Sequence, residues 1–254
     1  MLPRRPLFEH YRARRTVFAI DLPGYGRSDR SERAYTPRLM TDALQAVAAQ
    51  VRQRCGAAPL DALAVSLGCE FLARAASEAP AHWGRLALVS PTGFNGTRDW
   101  RGAPGSTRAV PGLHRVLSQK LWAQALFRGL TRPGVVRYFL QRTWGSKAID
   151  ETMYRDALVA AQGPGARFAP LHFLSGGLFS ADIHTVYDAV RSPVWVCHGD
   201  RGDFTDYRGM ALVPACAGWQ RTVYAAGALP YFEVPEAFNA DFDSFLAGRA
   251  GAAF

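Results

Sequence analysis

The chain has 254 residues, enough for one sizeable domain or a domain carrying an insertion. Its 48% hydrophobic and 20% charged residues are those of an ordinary globular protein. No apolar run approaches the roughly 18–20 residues needed to span a bilayer as a helix, so no helical membrane span is expected. The net charge of +9 invites a nucleic-acid reading, but nearly all of it is arginine, with only Lys120 and Lys147 as lysines. The arginines are spread along the chain without a nucleic-acid-binding motif, the densest local group being Arg4, Arg5, Arg12, Arg14 and Arg15. A solvated basic face is therefore expected rather than a nucleic-acid partner.

The opening residues MLPRRPLFEHYRARR contain no hydrophobic region of the kind a signal peptide requires, so a cytoplasmic location is the default expectation. Residues 16–21 (TVFAID) are rich in β-branched and aromatic side chains and end in the turn signal Leu22-Pro23-Gly24-Tyr25-Gly26; they read as a strand and a tight loop. Thr36 followed by Pro37 then starts a helix, with threonine capping and proline at the first helical position. Leu39, Met40, Ala43, Leu44, Val47 and Val51 recur at helical spacing along one buried face.

Residues 60–68 (LDALAVSLG) read as a buried strand running into a turn at Ser66, with small residues Ala64 and Gly68 two positions away on either side. A serine hydroxyl is a weak nucleophile. Folds that use one hold it at the apex of a sharp strand-to-helix turn, where both a base and the substrate can reach it. The helix-forming residues 69–77 (CEFLARAAS) supply the other half of that pattern, and residues 85–90 (RLALVS) form the next strand. Strand, helix, strand, helix, strand in this order predicts a parallel α/β sheet.

From residue 95 to 190 the chain changes character. It is loop-rich at first and then helical, with Leu121, Ala125, Leu126, Val136, Tyr138 and Phe139 among its apolar positions and no strand pair. Regularity resumes with strands at 193–198 (PVWVCH) and 219–225 (WQRTVYA). A closing helix over 236–246 places Phe238, Phe242, Phe245 and Leu246 on one face. Cys55, Cys69, Cys197 and Cys216 are widely spaced without a CxxC pair, which argues against zinc and disulfides; Cys69 and Cys197 read as small hydrophobes.

Five landmarks in chain order resemble the α/β-hydrolase superfamily: DLPGYGRSD at 21–29, AVSLG at 64–68, SPTGF at 90–94, HGDRGDF at 198–204 and GALPYFEVPEAF at 227–238. The resemblance implies an α/β-hydrolase core formed by residues 1–94 and 191–254, with residues 95–190 as a helical cap holding a small-molecule substrate against it. It implies Ser66 as nucleophile, the Leu67 amide as one oxyanion donor, and Asp203 as the catalytic acid, with Asp200 the alternative because a glycine is inserted in that loop. The activity implied is cleavage of an ester or related acyl bond in a small apolar substrate through an acyl-enzyme, with no metal or organic cofactor. The alternative is a non-catalytic ligand-binding protein of the same fold.

Two departures bear on that implication. The position where the family carries its catalytic histidine is Ala228, and the neighbouring position that often carries another is Tyr231. Alanine accepts no proton, and a tyrosine is a poor base at neutral pH. A substitute base is sought first at His198, then at His172 and His184; His10, His82 and His114 stand in segments without a motif. The second departure is at the start: only fifteen residues precede TVFAID, where the family has three strands, the third lying between TVFAID and the elbow strand. Two expectations follow. Either further strands are encoded upstream of Met1, or TVFAID pairs directly with the elbow strand in a reduced sheet.

Overall fold

The computed structural model describes residues 5–248. Helix α1 (Arg5–Tyr11) leads into an irregular segment and a tight loop, and α2 (Pro37–Cys55) follows. Thr36 caps α2, its side chain accepting a hydrogen bond from the Leu39 amide at 3.2 Å, and Met40, Leu44, Ala48 and Val51 form the buried stripe. Then come β1 (Leu60–Val65), α3 (Gly68–Glu78) and β2 (Trp83–Val89).

The inserted helices are α4 (Leu113–Leu117), α5 (Ala123–Leu130), α6 (Pro133–Trp144), α7 (Glu151–Ala161), α8 (Phe168–Leu174) and α9 (Ile183–Ala189). The chain closes with β3 (Val194–Gly199), β4 (Gln220–Tyr224), α10 (Pro230–Glu233) and α11 (Pro235–Leu246).

All four strands are parallel, in the order β1-β2-β3-β4. Both faces of the sheet are covered, and alternate residues divide between them as a two-residue period demands. Ala64, Leu86, Leu88, Val194 and Val196 join the core beneath α2, α3 and α9. Ala87, Val89, Trp195 and Cys197 join the core beneath α1 and α11, where Trp195 stacks on Phe242 at 5.8 Å. Cys69 and Cys197 are fully buried free thiols within these cores. The register aligns Val65 with Val89 and Val89 with Cys197, so the residues after β1, β2 and β3 meet along one edge of the sheet.

The expected strand at 16–21 does not form. Residues 16–20 take no regular secondary structure, bond to no backbone among the described residues, and do not pair with β1. Strand propensity alone does not make a strand; the backbone groups need a ladder partner. Between this segment and the free edge of β1 lies a cavity of about 680 Å³ lined by Val17, Ile20, Leu44, Leu63 and Val65 among others. The reduced-sheet expectation is thus corrected: apolar space separates the two segments instead of a shared ladder.

Buried polar contacts fasten the inserted helices to the core. His184 of α9 is fully buried; its Nε2–H donates to the Gly93 carbonyl at 2.8 Å, while Nδ1 faces the Asp99 carboxylate at 2.8 Å and the Trp100 amide at 3.2 Å. The Tyr187 hydroxyl donates to the Thr92 carbonyl at 2.9 Å. Glu70 of α3, also fully buried, accepts from the Thr92 hydroxyl at 2.6 Å and the Ser180 amide at 2.8 Å, and faces Arg108 at 3.4 Å. Burial pushes its carboxyl up, against the pull of Arg108.

Arg74 of α3 donates to both oxygens of Asp182, which also accepts from the Gly105 amide at 2.7 Å. The two side chains are only 11% and 5% exposed, so removing one partner leaves a buried charge uncompensated. Asp182→Ala is expected to destabilise the protein by about 3–5 kcal/mol, seen as a melting temperature lowered by roughly 6–20 °C. A drop below about 2 °C would show that the pair contributes little.

Candidate active site at the strand ends

Ser66 sits where β1 turns into α3, with φ of 52°, a left-handed conformation that a non-glycine residue adopts at a penalty. Its amide donates to the Val89 carbonyl at 2.8 Å, continuing the β1–β2 ladder by one residue, and its carbonyl accepts from the Cys69 amide at 3.0 Å, opening the helix. Ala64 and Gly68 face each other across this turn: a Cβ placed on Gly68 would stand 3.9 Å from the Ala64 Cβ. A methyl group there would stand in ordinary van der Waals contact. The elbow expected from the sequence is therefore present in its geometry. Ser66 is half-buried, and its Oγ hydrogen-bonds to no side chain among the described residues. The Leu67 amide, at the head of α3, likewise donates to no other backbone, as the first amides of a helix do.

The DLPGYGRSD loop is a self-bonded turn. Asp21 accepts from the Arg27 amide at 2.9 Å, and the Ser28 hydroxyl donates to the Asp21 carbonyl at 2.5 Å. Gly24 is required by close approach, because a Cβ there would stand 2.4 Å from the Cβ of Ala169 and 2.6 Å from the Tyr35 ring.

The other residues predicted for the site are placed as follows. Asp203 is exposed and receives Nε and Nη2 of Arg142, from α6, on its two carboxylate oxygens; the Asp203 amide donates to the Arg142 carbonyl at 3.3 Å. It thus ties the β3–β4 loop to the inserted helices. Asp200 is exposed, its amide donating to the Tyr224 carbonyl at 3.0 Å.

His198, at the end of β3, is buried with both ring nitrogens engaged. Nδ1 lies 2.9 Å from the Gly199 carbonyl, which only a donor satisfies, and Nε2 lies 2.9 Å from an Arg221 guanidinium nitrogen, which only an acceptor satisfies. These partners fix the neutral tautomer. Burial holds the imidazole below its usual value, and the Arg221 cation adds to that. Its basic lone pair is directed at Arg221 rather than at Ser66.

His172 stacks on His114 with ring centroids 3.6 Å apart, burial and that neighbour pushing it down to about 4. His184 is committed to Asp99 and Gly93 as described above. Ala228, the position at which the resemblance places the family histidine, is buried. Its carbonyl accepts from the Ser90 hydroxyl at 2.7 Å and its amide donates to the Thr143 carbonyl at 2.9 Å. Tyr231 is buried among Phe232 and Phe238.

Ser90, which opens the SPTGF landmark, and Tyr207, which no sequence pattern singled out, complete this edge. Ser90, at the end of β2, is buried and left-handed like Ser66, with φ of 47°. Tyr207 lies flat on His198 at 3.8 Å, and burial pushes its phenol well above the usual range. The strand order brings Ser66 and Ser90 to one edge. A local signal, a small polar residue at the end of an apolar strand, marked the second of them.

Residues 2–110 match the family described as alpha/beta hydrolase fold. No curated protein sequence matches the chain. Among solved structures, Cfl2 from Burkholderia cenocepacia is similar with a TM-score of 0.71 and 19% identity, the match covering 96% of this chain and 83% of that one. The enol-lactonase from Burkholderia xenovorans LB400 has a TM-score of 0.68 and 16% identity, covering 96% and 86%. The carboxylesterase CesB from Bacillus subtilis has a TM-score of 0.66 and 18% identity, covering 97% and 79%. At these identities the likeness carries the fold. Among the described residues no helix is long and apolar enough to cross a membrane.

Two outcomes are expected. Because Ser66 is left-handed and its hydroxyl unbonded within the fold, Ser66→Gly should raise stability by about 1 kcal/mol over Ser66→Ala, measured by urea unfolding; equal stabilities would mean the turn carries no strain.

The second outcome concerns acid. Imidazoles held below their unfolded value contribute stability that is complete above that value and lost as pH falls through the folded one. For His172 the window runs from about 6.5 down to about 4. Glu70, held above its unfolded value, acts in the opposite sense, so the measure is the difference between wild type and His172→Phe. The variant should lose less stability than wild type between pH 6.5 and 4, and parallel curves would refute the assignment.

Proposed function

We propose that this chain, which shares the alpha/beta hydrolase fold and matches that family over residues 2–110, cleaves an ester or related acyl bond in a small apolar substrate at Ser66, slowly, without an imidazole base. The observation that carries this reading is the left-handed conformation of Ser66 at the head of α3. Strain of this kind persists where a nucleophile has to be presented, and nothing in the packing of the turn requires a serine there. Solved proteins of the same fold include an enol-lactonase and a carboxylesterase, both acting on acyl–oxygen bonds, which supports that reaction class.

In this scheme Ser66 Oγ attacks the acyl carbon and its proton passes to water. The developing oxyanion is held by the Leu67 amide. The carbonyl re-forms as the alcohol leaves with a proton from solvent, and a second water then releases the acid and restores the serine. Asp203 acts here as the latch to Arg142, and residues 95–190 act as the cap over the substrate. Absence of the imidazole lowers turnover by about four to six orders of magnitude against an intact triad.

A second reading, ligand binding without turnover, is favoured by one observation: His198, the nearest candidate base by motif, has its lone pair occupied by Arg221. Prolonged labelling of the purified protein with a fluorophosphonate, followed by intact mass, separates the two. Slow stoichiometric labelling, lost in Ser66→Ala and accelerated by alkaline pH, is expected for the acyl chemistry. A folded protein that never labels would decide for the binding protein.

A further inference from the structure

Between residues 100 and 149 there is no aspartate or glutamate, while nine lysines and arginines occur: Arg101, Arg108, Arg115, Lys120, Arg128, Arg132, Arg137, Arg142 and Lys147. The remaining twenty-one basic residues equal the twenty-one acidic ones in number, so the entire net charge of +9 resides in this stretch of the inserted helices. Four of the nine are neutralised by ion pairs: Arg101 with Asp99 and Asp188, Arg108 with Glu70, Arg137 with Glu151, and Arg142 with Asp203. Arg115, Lys120, Arg128, Arg132 and Lys147 are exposed and have no acidic partner among the described residues.

The same surface exposes large apolar side chains. Leu121 is 90% exposed, Val116 54% and Trp122 44%, directly beside Arg115 and Lys120. They form one surface rather than scattered positions. The Trp122 indole donates to the Val116 carbonyl at 2.9 Å, folding the α4–α5 turn onto itself. The His114–His172 stack fixes α4 on α8, whose Leu174 is 44% exposed. The Val110 amide donates to the Ser175 carbonyl at 2.9 Å, bringing Val110, 56% exposed, to the same corner.

We propose that this face of the inserted helices docks the protein on an anionic lipid bilayer, with Leu121 and Trp122 entering the interface and Arg115, Lys120, Arg128 and Arg132 meeting lipid phosphates. The charge and the apolar groups together select this partner. Unpaired cations next to a protruding leucine, valine and tryptophan match a surface that is anionic outside and hydrocarbon just beneath. A nucleic acid would use the cations but leave Leu121 and Val116 without a counterpart. Tryptophan and arginine are also the side chains that sit well at a headgroup boundary. The proposal does not depend on chemistry at Ser66.

The test is flotation of the purified full chain with vesicles of phosphatidylcholine alone and with phosphatidylglycerol added. Binding is expected to the mixed vesicles at low salt, to weaken at high salt, and to be weak on phosphatidylcholine alone. Each cation at an anionic surface is worth about fivefold in partitioning, so Lys120→Glu with Arg128→Glu should lower binding by about 25-fold or more.

Leu121→Asp should also release the protein, whereas Arg54→Glu, an exposed position outside this face, should not. All of these sites are exposed, and unchanged circular dichroism and melting confirm that the variants fold. No binding to mixed vesicles, binding indifferent to Leu121→Asp, or preferential binding to duplex DNA would each overturn the proposal.

Discussion

Everything at the strand ends depends on one backbone constraint, the left-handed turn at Ser66. A serine at φ of 52° persists only when its neighbours leave it no alternative. Here the constraint comes from both sides of the turn. The Ser66 amide is held by the Val89 carbonyl, so β2 anchors the incoming strand. On the outgoing side the buried face of α3, including Cys69, Phe71, Leu72 and Ala73, fixes the helix against the sheet. The arrangement is asymmetric, because β1 has a ladder on its β2 side and a cavity on the other. The strain at Ser66 is therefore supported by β2 and α3 alone, and the cavity wall reaches Val65 and Gly68, immediately beside the serine.

The same strand edge carries a set of buried polar contacts. The Ser90 hydroxyl donates to the Ala228 carbonyl, Tyr207 covers the His198 ring, and Arg221 takes the remaining lone pair of His198. Buried polar groups left without partners are costly, and the polar groups at this edge are paired. The network stabilises the strand ends in a form where no side chain among the described residues bonds the Ser66 hydroxyl.

What the sequence disclosed follows from the range over which each feature is determined. The Thr36–Pro37 helix start, the buried runs of β1 to β3 and the elbow all rest on neighbours within a few residues, and all were readable. Residues 16–20 have the composition of a strand, yet a strand is a pairing, and the partner edge is not encoded in those five residues. Asp203 has the motif of a catalytic acid, but its arginine partner comes from 61 positions earlier, which no local pattern reveals. His198 stood out for the same local reason, and its engagement by Arg221 is set by the β3–β4 register. Charge was misleading in another way: averaged over the chain the arginines look dispersed, whereas their separation from every acidic residue over 100–149 is visible only when both signs are placed along the chain together.

The inserted helices carry two kinds of charge arrangement that follow opposite rules. Toward the core, charges are few, buried and matched: Glu70 with Arg108 and Arg74 with Asp182. Inside protein an unmatched charge is intolerable, and a matched one fixes geometry, so these contacts specify how the insertion sits. On the outer corner the rule is reversed, with cations unmatched and apolar side chains uncovered. Water tolerates that arrangement but gains nothing from it, and like charges on adjoining turns repel. The folded chain itself therefore supplies no energetic reason for Leu121 to stand out between Lys120 and Trp122. An anionic bilayer, charged outside and apolar just beneath, would supply that reason, and the buried pairs fix the insertion that presents the corner to it.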